Sequence, residues 1–212
     1  MYRSLIYALA KKAQLRPGFC LLDAGCGQGF FAGLFADLGI QVVGVDLSTE
    51  ALKSAPNECS SANVRFEAGD VRCLPYESTF DCVYARSCSL YNKTNLEESR
   101  QITDKLLTYL KDNGILIFDY YTRLSGRKGS VSWRYHNLSA IKSHFAKYPD
   151  ARVYFSLRLE PILFGSWALS APITLISSAL SRISGIGGEA IVFVRRSGSI
   201  REGSTQTARA HI

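Results

Sequence analysis

Patterns typical of metal centres and disulfide frameworks are missing from this sequence. None of its three histidines begins an H-x-x-E motif, and its six cysteines form no C-x-x-C pair. These absences argue against a zinc site and against a catalytic divalent metal. The first residues also lack a secretory signal pattern, because lysines and an arginine interrupt the apolar positions. We therefore expect a cytoplasmic protein with reduced thiols and no bound metal.

Internal repeats and long linkers are also absent. A chain of 212 residues, 47% hydrophobic and 20% charged, is typical of one globular domain. We predict a single domain over residues 1–196 and a disordered polar tail over residues 197–212. The formal net charge of +7 favours an anionic partner. Part of this charge lies near the carboxyl end, so charge alone does not indicate a nucleic-acid-binding protein; the residues are Arg195, Arg196, Arg201 and Arg209.

Short apolar strands alternate with helical patterns along the chain. The predicted strands are FCLLDA, IQVVGVD, NVRFEAGD, FDCVYAR, GILIFDYY, ARVYFSLRL and EAIVFVRR. Helices are predicted between most of them, the longest over residues 95–114 with Gly114 as its stop. This alternation predicts a doubly wound α/β fold, with a mostly parallel sheet covered by helices on both faces.

One segment of the chain is unusually apolar. Residues 161–180 carry no charge, and from Pro172 onward the apolar side chains form one stripe of an amphipathic helix. Gly165, Pro172 and several serines argue against a membrane span. Three alternatives stay open, namely a packed lid or core helix, an interfacial or oligomer contact, and a spanning segment. We expect residues 161–184 to form an apolar insertion or lid between the last two strands.

The glycine-rich stretch DAGCGQGF, residues 23–30, indicates a nucleotide-like ligand. Glycines after a strand let a loop pass close to a ligand without a Cβ clash. The dinucleotide fingerprint G-x-G-x-x-G/A fits poorly, because counting from Gly25 puts the bulky Phe30 at its last position. Counting from Gly27 gives Gly27, Gly29 and Ala32, which fits the spacing but begins too late after the strand. A pyrophosphate would also be repelled by Asp23. A carboxylate here suits S-adenosylmethionine, whose methionine end carries an ammonium group and no phosphate.

Two further acids end the next two predicted strands. Asp46 closes the second strand and can accept hydrogen bonds from both ribose hydroxyls. Asp70 closes the third, where its side chain can accept from an adenine amino group while Val71 offers a backbone N–H. Ligands of open α/β sheets bind outside the carboxyl ends of the strands, so we expect the acids to share one crevice. Each acid also has a structural alternative, as a helix cap or a turn residue.

Five motifs in order extend this interpretation over about residues 18–121: LLDAGCGQGFF, VVGVDLS, FEAGDVRCLPY, FDCVYAR and LKDNGILIFDY. Together they resemble the class I S-adenosylmethionine-dependent methyltransferases. The resemblance implies a seven-stranded sheet of order 3-2-1-4-5-7-6 with strand 7 antiparallel. It also implies S-adenosylmethionine as cofactor, S-adenosylhomocysteine as product and cofactor contacts at eight residues, which are Asp23, Gly25, Gly27, Asp46, Leu47, Asp70, Val71 and Arg86.

The sequence says less about the methyl acceptor. After strand 4 it reads ARSCSLYN, not the N/D-P-P-Y/F motif of enzymes that methylate base amines, so a nucleobase amine is not favoured. Methyl transfer needs alignment and exclusion of water, and only some acceptors need a base. Loops on the crevice side supply the candidate acceptor contacts, which are Arg86, Ser87, Cys88, Ser89, Tyr91, Tyr120, Tyr121, Trp133, Arg134, Tyr135 and His136. Among these, Tyr91, Tyr121 and His136 are the catalytic candidates.

These observations predict a methyltransferase that acts on an O or N atom of a small molecule. The apolar insertion and the basic body favour an apolar or anionic acceptor. Alternatives are an RNA or protein methyltransferase, a non-catalytic protein that binds S-adenosylmethionine, and an NAD-dependent oxidoreductase. No appended binding domain supports a nucleic-acid partner. Residues 161–184 are a further candidate for a peripheral membrane or oligomer contact.

Overall fold

The computed structural model describes residues 2–122, 133–157 and 188–197. Its helices are α1 (Tyr2–Ala13), α2 (Phe30–Ala36), α3 (Thr49–Glu58), α4 (Ser89–Asn92), α5 (Leu96–Thr108) and α6 (Leu138–Phe145). Its strands are β1 (Cys20–Ala24), β2 (Gln41–Asp46), β3 (Val64–Ala68), β4 (Phe80–Ala85), β5 (Leu110–Tyr121), β6 (Arg152–Leu157) and β7 (Gly188–Arg195). The predicted insertion 161–184, and the predicted tail beyond Ser197, lie outside the described residues.

The described strands form one sheet of order β3-β2-β1-β4-β5-β7-β6. Strands β1 to β5 pair in parallel, whereas β7 runs antiparallel to both β5 and β6. The predicted fold class and strand order are therefore confirmed. Because parallel strands point the same way, the carboxyl ends of β1 to β5 meet at one edge of the sheet.

Apolar side chains cover both faces of this sheet. Alternate residues of β1 point to opposite sides, so that Leu22 belongs to one core cluster and Leu21 to the other. The first cluster includes buried residues of α4, α5 and α6, and the second includes residues of α1 and α2. Burial on both faces explains why the strands appear in the sequence as nearly continuous apolar runs.

Side-chain caps fix where two of the helices begin. The Ser48 hydroxyl accepts a hydrogen bond from the Ala51 backbone N–H at 3.1 Å and so caps α3. At α5, Asn95 accepts from the Glu98 backbone N–H at 2.8 Å, and Glu98 accepts from the Asn95 N–H at 3.0 Å. This capping box satisfies two amides that the first helical turn would leave unpaired. Within the described ranges, the helices all fall short of the length and apolarity that crossing a bilayer requires.

The helix predicted over residues 95–114 is shorter in the structure. Helix α5 ends at Thr108, and β5 begins at Leu110. Gly114 therefore lies within the strand and does not stop a helix. Phe80 pairs with Leu110 and Cys82 with Ile115, so the β4–β5 ladder shifts register here and part of the KDNG stretch is looped out. The short helix α4 was not predicted.

Candidate cofactor and acceptor site

Three glycines of the loop after β1 adopt left-handed backbone conformations, with φ of 82° at Gly25, 55° at Gly27 and 80° at Gly29. A Cβ on Gly27 would meet nothing within 4 Å, so its α-carbon faces open space. A Cβ on Gly29 would instead stand 2.4 Å from the Phe66 ring. Gly27 thus allows close approach of a ligand, whereas Gly29 allows α2 to pack against β3.

Phe30 does not take part in the close packing of α2 on the sheet. It is the first residue of α2 and is 47% exposed, whereas Ala32 is fully buried. Gly29 and Ala32 therefore supply the small residues at the contact between helix and sheet. This arrangement agrees with the sequence argument that the dinucleotide fingerprint fails when it is counted from Gly25.

Asp46, the last residue of β2, holds two backbone amides. Its Oδ2 accepts from the Gly27 N–H at 2.8 Å, and its Oδ1 accepts from the Ser48 N–H at 2.8 Å. The acid therefore fixes the glycine loop against the end of β2, a contact that the sequence did not predict. Each carboxylate oxygen can accept a second hydrogen bond, as binding of ribose hydroxyls would require. Beside it, Leu47 is 68% exposed and offers an apolar surface to a ring.

Asp23 is a buried carboxyl near the end of β1. It is 2% exposed, and its Oδ2 has no hydrogen-bond partner among the described residues. Burial, with added repulsion from Asp46, raises the pKa of Asp23 to about 7, although a hydrogen bond from the Ala32 backbone opposes this rise. A buried polar atom without a partner is costly. An ammonium group at this position would supply both the missing donor and the compensating charge.

Asp70 follows β3 and is paired with Arg72. The Arg72 guanidinium donates to Asp70 from Nε at 2.9 and 3.0 Å and from Nη2 at 2.6 Å, and the Arg72 backbone N–H adds a bond of 2.9 Å. These hydrogen bonds lower the pKa of Asp70. An adenine amino group would therefore have to share this carboxylate with Arg72. Next to it, Val71 is buried, and its carbonyl accepts from the Tyr109 hydroxyl at 2.9 Å.

Arg86, directly after β4, forms a buried ion pair with Glu189 on β7. The Nη2–Oε2 distance is 2.5 Å, and the two side chains are 9% and 3% exposed. The guanidinium also lies 5.6 Å from the centre of the Phe31 ring. The pair joins two strands that β5 separates. The sequence pointed to Arg86 as a cofactor contact but not to Glu189, because no local pattern connects residues 103 positions apart.

A hydrogen-bonded cluster joins the carboxyl ends of β4 and β5. Ser87 has a left-handed φ of 49°, and its backbone N–H donates to Asp119 Oδ1 at 2.5 Å. The Ser87 hydroxyl lies 3.0 Å from the Tyr121 hydroxyl. Buried Asn92 donates to the Asp119 carbonyl at 3.2 Å and accepts from the Tyr121 N–H at 2.9 Å. The sequence did not single out Asp119 or Asn92, which position this cluster.

The three catalytic candidates occupy different environments. Tyr91 is fully buried and stacks on Phe118 with ring centres 4.0 Å apart, and burial raises its pKa. That environment gives Tyr91 a packing role, so it is not retained as a candidate for contact with an acceptor. Tyr121 and His136 are neighbours at the end of β5, where the backbone N–H of His136 donates to the backbone carbonyl of Tyr121 at 3.0 Å.

The cysteines of the described ranges are free thiols that do not cluster with other possible metal ligands. No group of three or more His, Cys, Asp or Glu side chains there is positioned to hold a metal ion. All six cysteines are free thiols, and Cys26, Cys59, Cys82 and Cys88 are buried. Burial raises the pKa of Cys88 to about 12, so its thiol stays protonated near neutral pH.

Several known proteins are similar to this chain in sequence or in fold. A family model of the methyltransferase domain matches residues 21–114. A methyltransferase of Geobacillus sp. (strain WCH70) is 35% identical over 104 residues, which are 48% of this chain and 42% of that protein. The malonyl-[acyl-carrier protein] O-methyltransferase of Erwinia pyrifoliae is 29% identical over 192 residues, which cover 87% of this chain and 69% of that protein. The solved structure of phosphoethanolamine N-methyltransferase 2 of Haemonchus contortus in complex with S-adenosyl-L-methionine superposes with a TM-score of 0.62 at 21% identity. The match covers 93% of this chain and 52% of that chain.

The site and these similarities point to the same cofactor, S-adenosylmethionine. The buried oxygen of Asp23 suits its ammonium group, and the open space at Gly27 suits close approach of its methionine end. The chain spans less than half the length of the Geobacillus relative, and the family model covers the glycine loop and the strand-end acids. The methyltransferase-domain match over residues 21–114 and the similar proteins support a class I S-adenosylmethionine-dependent methyltransferase.

Proposed function

We propose that this protein transfers a methyl group from S-adenosylmethionine to an O or N atom of a small molecule. The observation that carries the proposal is the buried Oδ2 of Asp23, which has no hydrogen-bond partner within the described residues, at the strand end that leads into the loop with the open space at Gly27. The names of the relatives support a small acceptor, because one is an O-methyltransferase of malonyl-[acyl-carrier protein] and another is a phosphoethanolamine N-methyltransferase.

Each part of the cofactor has matching residues at one edge of the sheet. Asp70, Val71 and exposed Leu47 would hold the adenine, and Asp46 would accept hydrogen bonds from the ribose hydroxyls. Asp23, Gly25 and Gly27 would hold the methionine end, and Arg86 stays a predicted contact beside it. This assignment follows the order of strand ends from β3 through β2 to β1.

When bound, the cofactor would supply a methyl group on a positively charged sulfur, and in-line attack on the methyl carbon would release that sulfur in S-adenosylhomocysteine. The contribution of the chain is positioning. Asp23 provides a negative charge for the ammonium group, and Asp46 keeps the glycine loop and the ribose position in fixed relation through its bond to the Gly27 N–H. Fixing both reactants removes much of the entropy cost of bringing them together.

Calorimetry with three ligands tests the cofactor assignment. S-adenosylmethionine and S-adenosylhomocysteine should bind, NAD should not, and Asp23→Ala should weaken binding of S-adenosylmethionine markedly. Asp37→Ala is the matched control, because it removes an acid that is half exposed at the end of α2. If S-adenosylmethionine does not bind to the unmodified protein, the proposal is wrong.

A labelled-methyl assay tests the acceptor class. The protein is incubated with methyl-labelled S-adenosylmethionine and a cell extract, and label should appear in the small-molecule fraction. Label in RNA or protein would replace our proposal with the corresponding macromolecular alternative. Cofactor binding with no labelled product would favour a non-catalytic protein. The predicted apolar or anionic character of the acceptor is tested by comparing carboxylic acids and apolar phenols with neutral sugars as substrates.

A further inference from the structure

We infer that Ser87 faces the methyl acceptor and that its hydroxyl, oriented by Tyr121, accepts a hydrogen bond from the O–H or N–H group that receives the methyl. This inference rests on the proposed function and deepens it, because it assigns an acceptor-positioning residue. It also favours an amine or hydroxyl acceptor that carries at least one hydrogen.

The location of Ser87 follows from the order of the strands. The proposed cofactor contacts occupy the ends of β3, β2 and β1, so the next strand ends along the sheet are those of β4 and β5. The loop after β4 touches the glycine loop, since a Cβ on Gly25 would stand 3.3 Å from the Cys88 sulfur. Ser87 precedes Cys88 directly. The hydroxyls of Ser87 and Tyr121 therefore border the methionine end of the cofactor site, on the side away from the adenine contacts.

The backbone conformation of Ser87 indicates a specialised position. A residue with a Cβ pays a steric cost at a φ of 49°, whereas glycine would not. Two contacts hold the conformation, one from the Ser87 N–H to buried Asp119 at 2.5 Å and one between the Ser87 and Tyr121 hydroxyls at 3.0 Å. Such strain persists where the surrounding structure fixes it, and it is common at ligand-binding positions. The serine adds a hydroxyl that glycine would lack.

The paired hydroxyls suit the orientation of a neutral nucleophile. The Ser87 hydroxyl can donate one hydrogen bond and accept two, so a serine bonded to Tyr121 keeps acceptor capacity for a further group. Accepting a hydrogen bond from an O–H or N–H would fix the direction of that atom's lone pair toward the methyl group. Asp119 contributes by fixing the Ser87 backbone and is a positioning residue.

Sinefungin provides a test that needs no knowledge of the natural acceptor. This analogue of S-adenosylmethionine has a carbon bearing an amino group in place of the sulfur and its methyl, so it puts N–H donors at the transfer position. S-adenosylhomocysteine has no group there. We expect Ser87→Ala to weaken sinefungin binding about tenfold and to leave the S-adenosylhomocysteine dissociation constant within about twofold, measured by calorimetry. Tyr121→Phe should produce a smaller loss in the same selective direction.

Two further variants keep the test sharp. Ser87→Gly adopts the left-handed conformation without strain, so it should show the same selective loss even if Ser87→Ala is unstable. Tyr7→Phe removes a tyrosine hydroxyl from an exposed position on α1 and should change neither dissociation constant. Unchanged sinefungin affinity in both Ser87 variants would overturn the inference. An equal loss of affinity for sinefungin and S-adenosylhomocysteine would also overturn it, because Ser87 would then support the cofactor site as a whole. If the unmodified protein binds neither ligand, the proposed function itself fails.

Discussion

The carboxylate of Asp46 accepts a hydrogen bond from the Gly27 backbone N–H at 2.8 Å, and so the acid that ends β2 shapes the loop after β1. Its other oxygen accepts from the Ser48 N–H at the same distance of 2.8 Å. The residue predicted to hold the ribose therefore also positions the loop predicted to hold the methionine end. Loss of this carboxylate should affect both parts of the cofactor site together.

Asp46→Asn should weaken binding of S-adenosylmethionine about tenfold. The amide nitrogen cannot accept a hydrogen bond, so one of the two backbone N–H groups loses its partner. Calorimetry measures the affinity, and hydrogen exchange should show faster exchange at the Gly27 amide. Asp37→Asn, at an exposed acid outside the site, is the control and should change neither quantity. Wild-type affinity in Asp46→Asn would contradict the dual role.

Gly27→Ala should mainly affect the approach of the ligand, whereas Gly29→Ala should mainly affect packing of α2 against β3. The Cβ added by Gly27→Ala would enter open space, so we expect a loss of only about 1 kcal/mol in unfolding free energy, from the left-handed conformation, together with loss of cofactor binding. The Cβ added by Gly29→Ala would stand 2.4 Å from the Phe66 ring, and overpacking should cost about 3 kcal/mol. Urea unfolding and calorimetry measure the two effects. The reverse order of stability losses would refute this division.

The raised pKa of Asp23 makes folding stability depend on pH. The ordinary pKa of this carboxyl is 3.8, whereas burial and Asp46 raise it to about 7 in the folded protein. Its contribution to stability is therefore complete below about pH 4 and is lost as the pH rises through 7. Asp23→Asn stays neutral and does not lose this stability. Between pH 4 and 8 the unfolding free energy of the wild type should therefore fall relative to that of Asp23→Asn, by up to about 4 kcal/mol. Urea unfolding across this range checks the sign, and a parallel pH profile in both proteins would contradict it.

Cofactor binding should also depend on the protonation of Asp23, but it should favour the ionised carboxylate, whereas folding favours the protonated form. An ammonium group favours ionised Asp23, so binding of S-adenosylmethionine should weaken about fivefold from pH 7 to pH 6. Asp23→Asn should bind more weakly and lose this pH dependence. Calorimetry at the two pH values measures both effects, and an unchanged pH dependence in Asp23→Asn would assign the titration to another group.

Arg72→Ala should strengthen cofactor binding by about two- to fivefold. The substitution removes the guanidinium that occupies Asp70 and leaves the carboxylate free for the adenine amino group. Arg65→Ala is a matched control, because Arg65 forms a similar exposed pair with Glu67. Weaker binding in Arg72→Ala alone would show instead that the arginine contacts the cofactor.

The sequence predicted the strand ends well because apolar runs and their order along the chain define a parallel sheet. Asp23, Asp46 and Asp70 all lie at or next to the carboxyl ends of their strands, as expected. Their side-chain partners were less predictable. Asp46 has the Gly27 amide as a partner, and Asp70 has Arg72 only two residues away. The first contact depends on how the glycine loop packs against the end of β2, and the second on the turn that the chain makes after β3.

Other features depend on packing across long distances in the chain. Glu189 sits within the apolar run of β7, and nothing local to it indicates a bond to Arg86. Tyr91 was a catalytic candidate because it follows β4, yet α4 turns its ring into the core against Phe118. The predicted stop at Gly114 was wrong because a looped-out stretch of β5 has the same composition as a helix end.

The position of β7 also sets an order of assembly. It lies between β5 and β6 although it follows both in the chain, so β6 lacks its β7 ladder partner until residues 188–195 have been synthesised. Strands β1 to β5 can pair before that point, because their partners precede them. The part of the sheet that carries the cofactor contacts can thus form on the ribosome while the opposite edge is still open. In ribosome-stalled chains that end before β7, hydrogen exchange should show protection at Val43 but not at Val153.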